Sequence, residues 1–99
     1  MEEEAYPSEE TLKKIKEWEY KDCYNLFLFI QENWNQEQGR CEIKTYHVYC
    51  GTGGWSGNEE IIATLESNYL VWSLTWQKSA RGGAYWFTLP LKRTLKTKK

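Results

Sequence analysis

At 99 residues, 40% of them hydrophobic and 27% charged, the chain is long enough for one hydrophobic core and too short for two ordinary domains. A formal net charge of −1 argues against a dedicated nucleic-acid binder, and three cysteines without close CxxC spacing fit free thiols better than a disulfide framework. No stretch has the form of a signal peptide or approaches the roughly 20 apolar residues of a membrane span, so a cytoplasmic protein is expected, with no membrane partner.

Charge is uneven along the chain. Glu2, Glu3, Glu4, Glu9 and Glu10 crowd the start, and Lys92, Arg93, Lys96, Lys98 and Lys99 crowd the end. Residues 1 to 7 and 91 to 99 are therefore expected to be flexible and solvated, with contact between the basic end and nucleic acid as the alternative. Ser8, followed by Glu9 and Glu10, is a natural N-cap. Leu12, Ile15 and Trp18 then recur on one side of a helix expected over residues 8 to 18. Asp22 caps a second helix whose apolar stripe is Cys23, Leu26, Phe27, Ile30 and Trp34. Aromatics at this spacing read as core, not as a cofactor box, and the polar run NQEQGR leads out of the helix.

Residues 42 to 50, EIKTYHVYC, have strand composition. They run into GTGGWSGNEEII, where Ser56 and Glu59 have the spacing of a capping box. Ile61, Ile62 and Leu65 give the helix that follows a buried face, and Asn68 stops it. LVWSLTWQ, residues 70 to 77, alternates as a half-buried strand, with Leu70, Trp72, Leu74 and Trp76 on one face. KSARGG then turns the chain, and AYWFTL returns as the partner strand before Pro90. The expected fold is a single α+β domain: two N-terminal helices, then β-α-β-β, with a small, mainly antiparallel three-stranded sheet packed on helices.

Catalytic chemistry is hard to find in these residues. His47 and Cys50, three apart on one strand, point to opposite faces and cannot form a nucleophile–base pair. Cys23, Cys41, His47 and Cys50 lack the paired ligand spacing of a zinc site, and no two carboxylates share an apolar setting. No enzyme activity, metal or cofactor is expected.

Two glycine-bearing stretches are the candidate sites. The loop with Gly51, Gly53, Gly54 and Gly57 stands between a strand and a helix N-terminus, a setting that can hold an anion, and Gly53, Gly54, Ser56 and Gly57 are the candidate contacts. Against this, it has no Walker lysine, its spacing is one residue longer than the dinucleotide pattern, and Glu59 and Glu60 would repel an anion. A structural turn requiring positive φ is the competing reading. The second stretch, W-x-x-S-x-R-G-G-x-Y, sets Trp76, Ser79 and Arg81 beside Tyr85, where an arginine can stack on rings and still offer its planar fork to a carboxylate or phosphate. An ordinary hairpin tip is the alternative. If the two loops share one end of the sheet, Trp55 and Arg81 form one aromatic and cationic patch.

EWEYKDCYNLFLFIQENW, TGGWSGNEEII and W-x-x-S-x-R-G-G-x-Y, in this order over nearly the whole chain, resemble a small family of phage and prophage proteins of unassigned function. The matching positions are Trp18, Trp34, Gly53, Gly54, Trp55, Ser56, Gly57, Asn58, Glu59, Trp76, Ser79, Arg81, Gly82 and Gly83, while the TYHVYC strand and the basic end depart from the pattern. The resemblance implies a phage or mobile-element origin and no particular chemistry. Six tryptophans cannot all be buried in so small a domain, and an aromatic excess without catalytic groups points to binding.

The leading expectation is a phage accessory protein that docks on a host or phage protein, or on a small anionic ligand, through Trp55, Asn58, Trp76, Ser79, Arg81 and Tyr85. Inhibition of host defence, including an anti-CRISPR role, follows from the resemblance alone. The alternative is a single-stranded nucleic-acid binder that uses exposed tryptophans and the basic end. A homodimer that buries some of the rings is a further partner class.

Overall fold

The computed structural model describes residues 6 to 90. Helix α1 (Glu9–Glu17) starts where Ser8 Oγ accepts from the Thr11 N–H at 3.0 Å, and its buried contact is Ile15. A short 3-10 turn, Tyr20–Asp22, leads into α2 (Cys23–Asn33), with Asp22 at its cap position. The Asp22 carboxylate does not cap the helix backbone; it accepts from Trp18 Nε1 and Asn25 Nδ2. All five residues of the expected stripe, Cys23, Leu26, Phe27, Ile30 and Trp34, lie in the core.

The expected strand over residues 42 to 50 is instead a hairpin: β1 (Arg40–Lys44) and β2 (His47–Gly51) pair antiparallel about Thr45 and Tyr46. Thr45 takes a φ of 54°, a conformation that glycine and asparagine usually supply, so the turn carries no compositional signal. Helix α3 (Ser56–Ser67) buries Ile61, Ile62 and Leu65 as expected, but its capping box does not form. Trp55 holds the cap position without a side-chain bond, Ser56 Oγ is hydrogen-bonded to the Tyr6 hydroxyl at 2.8 Å, and Glu59 Oε2 accepts from Thr52 Oγ1. Partners outside the helix take both members of the local motif, one of them 50 residues away in sequence. Tyr6, in the stretch expected to be flexible, is thus attached to α3; residues 1 to 5 and 91 to 99 lie outside the described residues.

The largest correction concerns residues 70 to 77, which alternate like a strand but form α4 (Tyr69–Thr75) and only then enter β3 (Trp76–Ala80). Asn68 explains the switch. Its side chain accepts from the Val71 N–H to start α4, and its amide donates to the carbonyls of Ile15 and Trp18, both at 2.9 Å, which ties the start of α4 to the end of α1. Val71 and Thr75, four apart, form the buried stripe, and Thr75 Oγ1 donates to the Val71 carbonyl at 2.7 Å.

Strand β4 (Ala84–Thr88) completes a four-stranded antiparallel sheet in the order β1-β2-β4-β3, in place of the three strands expected. The fold is α+β. Cys41, Val48, Cys50 and Phe87 face the helices, where Phe87 meets Phe27 with ring centroids 5.1 Å apart. Glu42, Lys44, His47, Tyr49, Trp86 and Thr88 line a shallow depression on the other side. Among the described residues no helix is long and apolar enough to cross a membrane.

Candidate functional site

The two glycine stretches do lie at the same end of the sheet: the Thr52 N–H donates to the Gly83 carbonyl at 2.9 Å. Their surroundings differ. Thr52 is fully buried, and its hydroxyl accepts from the Gly54 N–H at 3.1 Å while facing Glu59 Oε2 at 3.4 Å. Gly53 has a φ of 67° and sits so close to the Gln38 carbonyl that a Cβ would collide with it. The Gly54 N–H is thus engaged, and a carboxylate stands where an anion would need positive charge.

Asn58, expected on the binding surface, is fully buried. Its Oδ1 accepts from the Asn35 N–H at 2.9 Å, and its Nδ2 donates to the Asn35 and Thr52 carbonyls, both at 3.2 Å. It joins the end of α2 to the glycine loop. Trp55 is half-buried, packs over Gly57 where a side chain would clash, and meets the Tyr6 ring at 4.6 Å. Gly57 is buried beneath it, and Ser56 is exposed but bonded to Tyr6. No ring, ion-pair or hydrogen-bond contact joins Trp55 to Arg81 among the described residues.

The second region is built on α4, β3 and the hairpin tip. Trp76 stacks on Trp72, 6.1 Å between centroids and 14° between planes, and Trp72 turns its edge to Tyr85 and Phe87. Trp76 Nε1 donates to Ser79 Oγ at 2.9 Å, which fixes the indole along β3. Tyr85 is half-buried and supports this stack from β4. Arg81 is exposed in the turn, and no ion pair engages it among the described residues.

Sequence reasoning missed Tyr69, Leu70 and Leu74, which are 78%, 55% and 52% exposed; Trp76 beside them is 40% exposed. The signal that could have found them is Asn68, since a cap there puts Leu70 and Leu74 on one helix face, away from Val71 and Thr75.

His47 is exposed and Cys50 buried, on opposite faces of β2 as the spacing required. Among the described residues no three His, Cys, Asp or Glu side chains gather as a metal centre needs. Burial pushes the Cys23 thiol up to about 11. A hydrogen bond with Cys41, together with burial, raises Cys50 well above the ordinary thiol range. These are poor nucleophiles at neutral pH.

Comparison of the chain with protein-family models, with curated proteins and with solved structures finds no match, so the site is read from its own geometry.

Proposed function

We propose that this chain is a non-enzymatic binding protein that docks on a protein partner through α4 and β3. One observation carries the reading. Of six exposed large hydrophobic side chains among the described residues, four, Tyr69, Leu70, Leu74 and Trp76, fall on the single run through α4 into β3. Scattered apolar residues need no explanation, whereas four left exposed within eight consecutive residues point to an interaction surface. Trp76 and Tyr69 suit the role of anchors, because large rings gain contact area with little loss of rotamer freedom. Ser79 and Arg81 supply a polar rim, and the indole of Trp76 is already held in place by Trp72 and Ser79. Strand β3 also lies at a sheet edge, where unpaired backbone groups can bond to a partner.

The phage resemblance gives this reading its setting: the partner is a host or phage protein, and inhibition of a host defence, anti-CRISPR action included, is the role that fits an accessory protein without catalytic groups. The test is capture from host lysate with wild type, Trp76→Ala and Arg81→Ala in parallel. One protein retained by wild type and lost by Trp76→Ala supports the surface; equal retention by all three sinks it. Concentration-dependent dimerisation lost in Trp76→Ala would instead make the partner a second copy of this chain.

A second reading, single-stranded nucleic-acid binding, draws on the sheet face turned away from the helices. Its basic end, residues 92 to 99, lies outside the described residues. Tyr49 and Trp86 stand in register on the two central strands with ring centroids 5.2 Å apart, Lys78 Nζ lies 4.7 Å over the Trp86 ring, and Lys44 borders the same depression. Rings flanked by lysines are the pattern that stacks bases and meets phosphates. This reading requires labelled oligonucleotide binding that weakens with salt and falls in Trp86→Ala; no binding at low salt rejects it.

A further inference from the structure

Cys41 and Cys50 face each other across β1 and β2, and their Sγ atoms lie 3.7 Å apart. The backbone defines what kind of pair this is. The Thr52 N–H bonds to the Gly83 carbonyl and the Leu89 N–H bonds to the Tyr46 carbonyl. Backbone groups therefore point toward β4 at positions 46 and 52, and by alternation also at Val48 and Cys50. Cys50 turns its backbone away from β1, so Cys41 and Cys50 are a non-hydrogen-bonded antiparallel pair. Such pairs have Cα atoms about 4.5 Å apart. That falls inside the range of roughly 4.4–6.8 Å that a disulfide spans. Side-chain rotation alone can bring the two sulfurs to bonding distance, with both strands left in register.

We propose that Cys41 and Cys50 are a dithiol–disulfide couple, oxidised by a low-molecular-weight disulfide to a covalent link between β1 and β2. Cys41 lies on an outer strand of the sheet, whereas Cys50 is enclosed between β1 and β4, so Cys41 is the first to meet the oxidant as the chain folds or β1 opens. The Cys41 thiol loses its proton to solvent, and the thiolate attacks one sulfur of the small disulfide. The S–S bond breaks, and one small thiolate leaves and takes up a proton. Cys50 then gives up its proton to solvent, and its thiolate attacks Cys41 Sγ in the mixed disulfide, breaking that S–S bond and releasing the second small thiolate, which takes up a proton. Two protein thiols are oxidised and one small disulfide is reduced to two thiols.

The raised thiol of Cys50 makes the second step slow in the closed fold, which couples oxidation to opening of the hairpin. Cys23, at the start of α2, takes no part in the sulfur contact and stays a thiol. The bond would clamp a hairpin whose turn holds Thr45 at a φ of 54°.

The test is refolding of the full chain from its reduced, denatured state in glutathione buffers, from fully reducing to strongly oxidising. Acid quench, alkylation and peptide mapping by mass spectrometry follow. The expected product has Cys41 joined to Cys50 and Cys23 alkylated, and it melts at a higher temperature than the reduced protein. Cys23→Ser should behave in the same way, while Cys41→Ser and Cys50→Ser should form no bridge within the chain at any ratio, their remaining thiols being recovered alkylated or as mixed disulfides with glutathione. Three alkylated cysteines throughout, a bridge that includes Cys23, or an oxidised form that melts below the reduced one would each overturn the proposal.

Discussion

The glycine loop after β2 and the α4–β3 surface look alike as sequence: each sets tryptophan and polar side chains beside glycines. In the loop, Asn58 and Thr52 are fully buried and their polar atoms are engaged by Asn35, Gly54, Gly83 and Glu59. On α4 and β3, four large apolar side chains remain in contact with water although the core is only one helical turn away. Buried polar groups that find every partner stabilise a fold, whereas apolar groups left in water have a favourable interaction still to make. The contrast separates architecture from recognition, and four sets of substitutions can break or sharpen it.

The largest effect is expected at Gly53. Alanine there would place its Cβ on the Gln38 carbonyl oxygen while the backbone stays at a φ of 67°, so the loop must move. Overpacking and left-handed backbone together should cost about 3 kcal/mol or more. Gly54, at a φ of 76° with open space where its Cβ would stand, is the internal control. Gly54→Ala should cost only about 1 kcal/mol, the strain of the backbone alone. Urea unfolding of the two variants decides the matter, and similar midpoints would mean the loop is not clamped.

Asn58→Ala comes next. It leaves the Asn35 N–H without a partner, while the Asn35 carbonyl keeps the Gln38 and Gly39 N–H groups and the Thr52 carbonyl keeps the Trp55 N–H, so the loss should be about 1–3 kcal/mol. Asn58→Asp keeps the acceptor for the Asn35 N–H but sets a carboxylate oxygen against the Asn35 and Thr52 carbonyls in a fully buried site, so near neutral pH it should cost at least as much as alanine. A loss below about 0.5 kcal/mol for Asn58→Ala would place that residue on the surface side of the comparison.

The first two helices were legible because their determinants are local. Ser8 caps Thr11, and the stripe from Cys23 to Trp34 repeats at helical spacing. The capping box at Ser56 and Glu59 does not form because Tyr6, 50 residues away, takes the serine and Thr52, in the loop before the helix, takes the glutamate. Residues 70 to 77 deceived for a different reason. Leu70, Trp72, Leu74 and Trp76 alternate with smaller residues by composition, yet the buried stripe is the modest pair Val71 and Thr75, and hydrophobicity does not mark it. The same blindness hid the cysteine pair: without glycine or asparagine at Thr45 and Tyr46, nothing in the sequence folds Cys41 back onto Cys50. Of the proposed docking surface, the sequence singles out Trp76, Ser79, Arg81 and Tyr85 and passes over Tyr69, Leu70 and Leu74, while Trp55 and Asn58 pack within the loop.

On the open side, Trp76→Ala should cost about 1 kcal/mol, because it removes one stacked ring pair and the bond to Ser79 but leaves Trp72 seated on Tyr85 and Phe87. Thermal unfolding measures this. A loss near that of Asn58→Ala would show that the indole belongs to the core.

The smallest effect on stability should come with the largest effect on binding, in the double variant Leu70→Glu, Leu74→Lys. Both side chains are more than half exposed and lie four apart on α4, so the substitutions remove little packing. Glutamate four residues before lysine is also the favourable order for a helical ion pair. The net change in stability should stay within about 0.5 kcal/mol. A partner that needs an apolar face would meet two charges in its place, each requiring desolvation, and capture from lysate should be lost while the folded fraction is unchanged. If the variant unfolds more easily by several times that amount, the two leucines are part of the interior and the docking face must be sought elsewhere. If it stays folded and still captures the partner, Trp76 and Arg81 act without α4, and the interface narrows to the exposed edge of β3.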